Sequence, residues 1–490
     1  MKLLTLSLIC FICQLIYPQQ QIPELKLDVN YSNIEVGHLI DSLSVKYQIE
    51  FSYDSKAVPL DSIVFINRKN VTLKEILYDV LGSEDLDISY FNDQIVISRN
   101  PYLDKNSIQE NLLINGIVLN NKSYEPLPFV NISILNEPIG SITNDKGEFS
   151  FYIPPKYCSD SIRFSSIGFS AKAIKVPEQD STVKVLLEEE NIRLPEVQVT
   201  ALPALEIMRK VIRKESDNYF NTPVALTGFF REVIKQDNNI VQASEALIDI
   251  YKPSYQNSVA LEKVKFIKGR KRSDVDSMQS IAFRLQGGPY IFSRLDIVRY
   301  HDFFPDNNVE DIYKYTYNGV RYIDDKKVYL IGFKPYDDTG ELLYEGEFSI
   351  NAEDFALISV EFQMTKNTLK KSRKYLIKKD NRHSRAKPYF ARYYLDYRQY
   401  RNKWMLNRVS GEIKVRVIGT KNKIRSDFFA KTEMVITDLR PVDEERIKNS
   451  ETYKPNEILY DEVQKSDPEF WEYYNIIKPE DDISKVFNKE

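Results

Sequence analysis

The residue types that carry most protein chemistry are sparse in this chain and poorly spaced for it. Of 490 residues only three are histidines, His38, His301 and His383. No two stand one helical turn apart, so a paired-imidazole zinc peptidase motif is missing, and no His-x-x-Glu occurs. A nucleophile elbow needs Gly-x-Ser-x-Gly, and phosphate loops need closely set glycines; the 16 glycines form neither pattern. Cys158 follows a strand-like run and reads as a small buried residue rather than a nucleophile. Carboxylates are plentiful, as in any chain this long, and no pair stands out. The expectation is a protein that is not an enzyme, with no catalytic, metal or cofactor residues. A hydrolase without a recognisable motif is the competing class.

Charge is where the chemistry concentrates. From Lys366 to Lys431 there are 21 Lys plus Arg against 4 Asp plus Glu, about +17. From Glu433 to Glu490 there are 16 acidic against 8 basic residues, about −8. Aromatic side chains interleave with the cations. Lys370, Lys371, Arg373, Lys374, Tyr393, Tyr397, Arg398, Arg401 and Trp404 are therefore the candidate surface for an acidic partner or anionic lipid headgroups. The plainer alternative is a solvated sheet face with the acidic tail folded near it.

The N-terminus weighs against nucleic acid as the partner. Lys2, an apolar run from Leu3 to Tyr17 and a polar exit at Pro18 read as a secretory signal over residues 1–19. Cys10 and Cys13 lie inside it, preceded by Ile9 and Ile12 rather than the small residues of a lipoprotein cleavage site. Cys158, left alone after them, has no partner for an internal disulfide, so the exported chain relies on its cores. No other stretch is long and apolar enough to span a bilayer as a helix.

The remaining length suggests about three domains, and 32 Tyr and 26 Phe favour β structure. Residues 24–99 read as a βαββαββ-like module. Its helices run over Ser32–Tyr47 and Thr72–Leu81, each opened by a capping box, Ser32 with Glu35 and Thr72 with Glu75. Leu86–Tyr90 and Gln94–Ser98 read as a hairpin. A polar linker, 100–113, leads to residues 114–201. There Val130, Ile132 and Ile134 alternate with polar residues, and Asn144-Asp-Lys-Gly147 is a turn between short strands, the pattern of a small β-sandwich.

These residues carry two family resemblances. Glu125-Pro-Leu-Pro-Phe-Val-Asn-Ile, Gly140-Ser-Ile-Thr-Asn-Asp-Lys-Gly-Glu-Phe-Ser-Phe, Phe164-Ser-Ser-Ile-Gly-Phe and Leu194-Pro-Glu-Val-Gln-Val-Thr-Ala closely resemble the carboxypeptidase-regulatory-like domain. This transthyretin-like sandwich is common in outer-membrane proteins of Bacteroidota. The resemblance implies an accessory domain without peptidase chemistry. Phe51-Ser-Tyr-Asp-Ser-Lys-Ala-Val, Asn70-Val-Thr-Leu-Lys-Glu-Ile-Leu-Tyr-Asp-Val-Leu and Asp93-Gln-Ile-Val-Ile-Ser resemble the short N-terminal domain of secretins and TonB-dependent transducers. That resemblance implies a periplasmic interaction module, with an anti-sigma regulator among its partners. TonB enters through the first resemblance: in outer-membrane transporters of that family the Leu194–Ala201 type of segment can include a TonB-binding strand, the plainer reading being that Val197 and Val199 complete the sandwich edge.

Residues 203–490 open with an amphipathic helix, Pro203–Asn218, with Leu205, Met208, Val211 and Ile212 on one side. Nine β-runs then follow: 225–234, 240–250, 313–321, 327–333, 344–350, 356–364, 389–400, 404–418 and 428–437. They predict one large, curved antiparallel sheet with flanking helices and an acidic tail. Gly346-Glu-Phe-Ser-Ile-Asn-Ala-Glu-Asp-Phe-Ala resembles a hairpin of periplasmic lipoprotein-carrier-like half-barrels. The sum is a multidomain, mainly β chain. Its expected role is a periplasmic accessory protein, peripheral to the outer membrane, that binds an outer-membrane barrel or complex. A lipid carrier and a TonB-linked signalling protein are the alternatives.

Overall fold

The computed structural model describes residues 25–487 apart from 54–57, 82–85, 92–93, 100–110, 191–202, 258, 274–283, 286–287, 306–311, 324–325, 339, 341, 380–383, 420–424, 443–446, 448–450, 455–456 and 464–473. The signal segment expected at residues 1–19 and the Leu194–Ala201 stretch lie outside the described residues. The chain divides into two compact units, residues 1–106 and 107–490.

In the first unit the order is β1 (Lys26–Glu35), α1 (Val36–Tyr47), β2 (Glu50–Tyr53), β3 (Ile63–Thr72), α2 (Leu73–Leu81), β4 (Leu86–Phe91) and β5 (Gln94–Arg99). β1 pairs with β3, while β2, β5 and β4 form a second sheet in which β5 pairs antiparallel with β4. Leu39, Ile40 and Leu43 of α1 and Leu73, Ile76 and Leu77 of α2 pack on Leu27, Val29, Ile95 and Ile97. One capping box forms and the other does not. The Thr72 amide donates to Glu75 Oε2 at 2.7 Å, and the Glu75 amide donates back to Thr72 Oγ1 at 3.3 Å. The Ser32 start is corrected: β1 keeps pairing through Ile34 with Val64 and Glu35 with Ile63, so the helix begins only at Val36.

The second unit starts with the sandwich: β6 (Leu112–Asn120), β7 (Asn131–Ile134), β8 (Gly140–Ile142), β9 (Glu148–Ile153), β10 (Ser161–Ser166), β11 (Phe169–Lys175) and β12 (Ser181–Leu187). One sheet runs β11-β10-β7-β8 and the other β12-β6-β9. Val130, Ile132, Ile134, Phe149, Phe151 and Phe164 fill the space between them. The Asn144–Gly147 turn is held by Asn144 Oδ1, which accepts from the amides of Lys146 at 3.0 Å and Glu148 at 2.9 Å. Gly147 takes φ +72 there, a left-handed conformation that glycine adopts without penalty. Cys158 is exposed, not buried as expected, because the surface turn Pro155–Tyr157 separates it from β9.

The rest of this unit opens with α3 (Ala204–Arg213) and α4 (Glu215–Asn218). It continues as β13 (Val224–Gln236), β14 (Asn239–Lys252), β15 (Lys263–Ser273), β16 (Arg284–Leu285), β17 (Tyr313–Ile323), β18 (Lys326–Pro335), β19 (Tyr344–Asn351), β20 (Leu357–Met364), β21 (Ile377–Lys379), β22 (Ser384–Tyr400), β23 (Lys403–Gly419) and β24 (Arg425–Pro441). Ten of these strands make one antiparallel sheet, ordered β15-β14-β13-β24-β23-β22-β20-β19-β18-β17, and it is not closed into a barrel. All nine anticipated runs are strands of it; β15 is the addition. In α3 the buried residues are Ala204, Ile207, Met208 and Val211, so the inward face is rotated from the predicted one and leaves Leu205 and Ile212 half-buried.

One face of the sheet is covered from within the chain. The helices Gly288–Ser293 and Ile297–Tyr300 lead to Phe303 and Phe304. The Phe303 ring lies 5.2 Å from Phe333 and 5.0 Å from Phe362, and Phe304 lies 5.5 Å from Phe348. On this face these rings pack against one another.

The acidic tail returns to the sheet and the sandwich. The Tyr453 amide donates to the Val264 carbonyl at 2.6 Å, and Lys265 pairs with Glu451 at 3.2 Å, which covers the outer edge of β15. Further on, Asn475 pairs through its side-chain amide with the backbone of Tyr152 on edge strand β9: it accepts at 2.7 Å and donates at 3.0 Å. The closing helix Asp481–Phe487 buries Ile483 against Val233 and Ala243.

Candidate ligand- and partner-binding site

Two polar arrangements stand out in the second unit: a buried ionic cluster and a groove between the sandwich and the sheet. In the cluster, Lys252 Nζ lies 2.7 Å from Asp296 Oδ2 and 3.3 Å from Glu262 Oε1. Arg299 Nε is 3.2 Å from Glu262 Oε1. The hydroxyls of Tyr255 and Tyr397 donate to the two Asp296 oxygens, each at 2.7 Å. Burial first, and the Asp296 charge second, hold both phenols well above their usual pKa. The Arg299 guanidinium also donates to the carbonyls of Pro253 at 3.3 Å and Asn257 at 2.6 Å, and to those of Ser254 and Ala260. All four charged residues are buried. The cluster ties the 253–262 loop and the 288–300 helices to the sheet, a scaffold role that leaves each carboxylate fully engaged.

The groove lies where the sandwich meets the opposite face of the sheet. The sandwich's β7–β10 side lies against β20, β22 and β23, and a cavity of about 460 Å³ opens between them, lined by Asn131, Arg163, Arg398, Arg401 and Trp404 among others. A second cavity of about 310 Å³ continues it past Phe129, Arg392 and Arg408, sharing Asn131, Ser166, Ile167, Ile358 and Tyr397 with the first. The junction is polar and specific. Asn407 Nδ2 bridges Asn131 Oδ1 at 2.7 Å and Asp396 Oδ1 at 2.6 Å. Phe129, at φ +58, is clamped between Arg408 at 3.8 Å and Lys431 at 4.7 Å from its ring centre. Cation–π contacts of this kind contribute about 0.5–2 kcal/mol each.

Arg398 reaches across this junction. It donates to the Pro138 carbonyl, and to that of Ile436 at 3.5 Å, while its Nε is buried without a hydrogen-bond partner. Burial pulls its guanidinium down to about 10, against the opposing pull of Asp438 and Asp396. Asp396 beside it is pushed up from the usual carboxylate range by burial, with Arg408 and Asn407 acting the other way. Arg398 can pass only because residue 140 is glycine. A Cβ there would meet the Arg398 guanidinium and lie 2.9 Å from the Ile132 carbonyl.

The candidate surface read from the sequence divides in three. Lys370, Lys371, Arg373 and Lys374 are exposed on the helices Lys366–Lys371 and Arg373–Leu376, whose Leu376 joins the core of the Phe303 face. Arg398 and Arg401 line the groove on the other face. Tyr393, Tyr397 and Trp404 are buried aromatics: Tyr397 serves Asp296, and the Trp404 indole donates to Asp354 Oδ2 at 3.0 Å. Sequence reasoning missed Arg163 and Asn131, which only the docking of the sandwich brings to the site. Among the described residues no group of three or more His, Cys, Asp or Glu could hold a metal ion, and no helix is long and apolar enough to cross a membrane.

Residues 114–199 match the family model of the CarboxypepD_reg-like domain, as the sandwich motifs implied. No curated protein matches the chain. Solved structures similar to it include an outer membrane lipoprotein-sorting protein domain from Vibrio parahaemolyticus, at 11% identity and TM-score 0.24, covering 50% of this chain and 94% of that one. A DUF1329 family protein from Desulfovibrio piger matches at 10% identity and TM-score 0.22, covering 50% and 95%. MucB in complex with MucA(peri) matches at 8% identity and TM-score 0.16, covering 49% and 100%.

Proposed function

We propose that the chain is a non-enzymatic accessory protein of the bacterial envelope, exported and peripheral to the outer membrane, that binds an outer-membrane barrel or its complex. The observation that carries this reading is the row Lys370, Lys371, Arg373 and Lys374, exposed on two short helices whose apolar side is anchored in the sheet core. Anchored helices hold cations in fixed positions, which suits an acidic protein surface or a headgroup layer. The accessory sandwich at 114–199 supports it, as does the engagement of the buried carboxylates in scaffold contacts. Residues 24–99 are the second docking module, with an anti-sigma regulator as the partner its family resemblance implies.

The test is an affinity pull-down of the tagged protein from detergent-solubilised outer membranes, read by mass spectrometry. A stoichiometric barrel protein is expected, and it should be lost when all four cations are changed to Glu. Recovery of the tagged protein alone, or a partner that ignores the charge reversal, would reject this reading.

A further inference from the structure

The groove between sandwich and sheet has a composition that the partner reading does not use. Its larger cavity takes four cationic side chains, Arg163, Lys326, Arg398 and Arg401, against one carboxylate, Glu137. Among the described residues no carboxylate is in ion-pair contact with Arg398, whose head group donates to backbone carbonyls; Asp438 and Asp396 act on it only from a greater distance. A partly enclosed cavity with this excess of cationic side chains is one that an incoming anion would neutralise. Around it Asn131, Asn402, Asn407 and Ser165 supply amide and hydroxyl groups, and Trp404 and Ile358 supply apolar wall. About 460 Å³ falls within the range of small-molecule sites. Its contents are those needed for a polyhydroxylated ring bearing one acidic group. With Asn407 Nδ2 and Asn131 Oδ1 already bonded to each other, Asn131 Nδ2 remains to donate and Asn407 Oδ1 to accept, while Asn402 and Ser165 can do either; the arginines fork onto a carboxylate or phosphate.

We propose that this groove is a binding site for an acidic saccharide, a sugar carrying a carboxylate or phosphate, with Arg163, Arg398 and Arg401 on the acidic group and the Asn131 side of the sandwich on the hydroxyls. It is a separate site from the Lys370–Lys374 row, and a pull-down that returns no barrel protein leaves it standing. The same chemistry occurs on a free sugar and on the head of a phosphorylated glycolipid.

The experiment is a calorimetric titration of the full-length exported protein with glucuronate, glucose 1-phosphate and glucose. Flotation with phosphatidylcholine vesicles, with and without a phosphorylated glycolipid, is run alongside. Saturable binding of either acidic sugar with none of glucose is expected, weakened roughly tenfold or more in each of Arg163→Gln and Arg401→Gln. Both positions are surface-accessible, so these variants keep the fold, and circular dichroism checks that. Flotation with the glycolipid vesicles alone, lost in the same variants, supports the site and assigns the sugar to a lipid. Equal binding of glucose, binding unchanged in both variants, or no binding in either arm overturns the proposal.

Discussion

Removal of Asp296 tests the buried cluster most directly. Its two oxygens hold Lys252 at 2.7 Å and the hydroxyls of Tyr255 and Tyr397 at 2.7 Å each. In Asp296→Ala the Lys252 ammonium stays buried with only Glu262, 3.3 Å away and already engaged by Arg299. Breaking one partner from a buried pair costs about 3–5 kcal/mol. Each tyrosine hydroxyl left unpaired adds about 1 kcal/mol or more. Because these losses overlap in one network, about 5 kcal/mol is the expected total. That is a large share of the roughly 5–15 kcal/mol by which domains are stable. Adding Lys252→Met removes the stranded charge, so the double variant should recover about 2 kcal/mol relative to Asp296→Ala alone. Equilibrium urea unfolding followed by tryptophan emission reads both, since Trp404 shares a core with Tyr397. An Asp296→Ala variant within about 1 kcal/mol of the parent, or a double variant no better than the single one, would refute the cluster as a stability element.

Three further outcomes follow from the second unit. Gly140→Ala should push Arg398 off the Pro138 carbonyl and lower stability by about 1–3 kcal/mol, measured by thermal unfolding. Asn475→Asp keeps an acceptor for the Tyr152 amide but loses the donor to its carbonyl, and should raise hydrogen exchange at β9 without touching β14. The Asp481 carboxyl is held below its usual range by hydrogen bonding to Lys146, and Asp482 is lowered by Lys235 against the effect of burial. Depressed folded-state values give stability that is present at neutral pH and lost as the pH falls through about 4 and below. Limited proteolysis should therefore release the C-terminal helix at pH 3 and not at pH 6; a cleavage pattern independent of pH would contradict this.

The strands of the large sheet were legible because runs of seven or more residues rich in β-branched and aromatic side chains, separated by short polar turns, are a strong local signal. Strand β15 was not: Lys263-Val-Lys-Phe-Ile-Lys-Gly-Arg-Lys-Arg reads as a charged loop, and the acidic tail that covers its edge lies nearly 190 residues away, as in the contact of Lys265 with Glu451. The basic and aromatic cluster was visible as composition, but alternation along β22 sends Tyr393 and Tyr397 into the core and Arg398 to the sandwich side. Two sequences of the same capping type behaved differently. Thr72 stands where β3 ends, whereas Ser32 lies inside β1, at an irregularity flanked by the Tyr31–Ile66 and Ile34–Val64 pairs. The Lys252–Asp296 cluster carries no periodic signal, and each member alone reads as a surface charge. Cys158 reads as a core residue from its type alone, and the surface turn Pro155–Tyr157 before it leaves it exposed.

The strand order also sets a timetable. β13, the first long strand of the sheet, pairs on one side with β14 and on the other with β24, Val224 opposite Pro441. The group β13–β15 and the group running from β23 to β17 touch within the sheet only through β24. As the chain is made or threaded through a membrane from its N-terminus, both groups hold open edges until the final long strand arrives. Non-local pairing of this kind is slow, and open edges invite pairing with other chains. A chain cut short before residue 425 would keep every strand except the keystone, and should be handled by the cell as an aggregation hazard and not as a smaller version of the same protein.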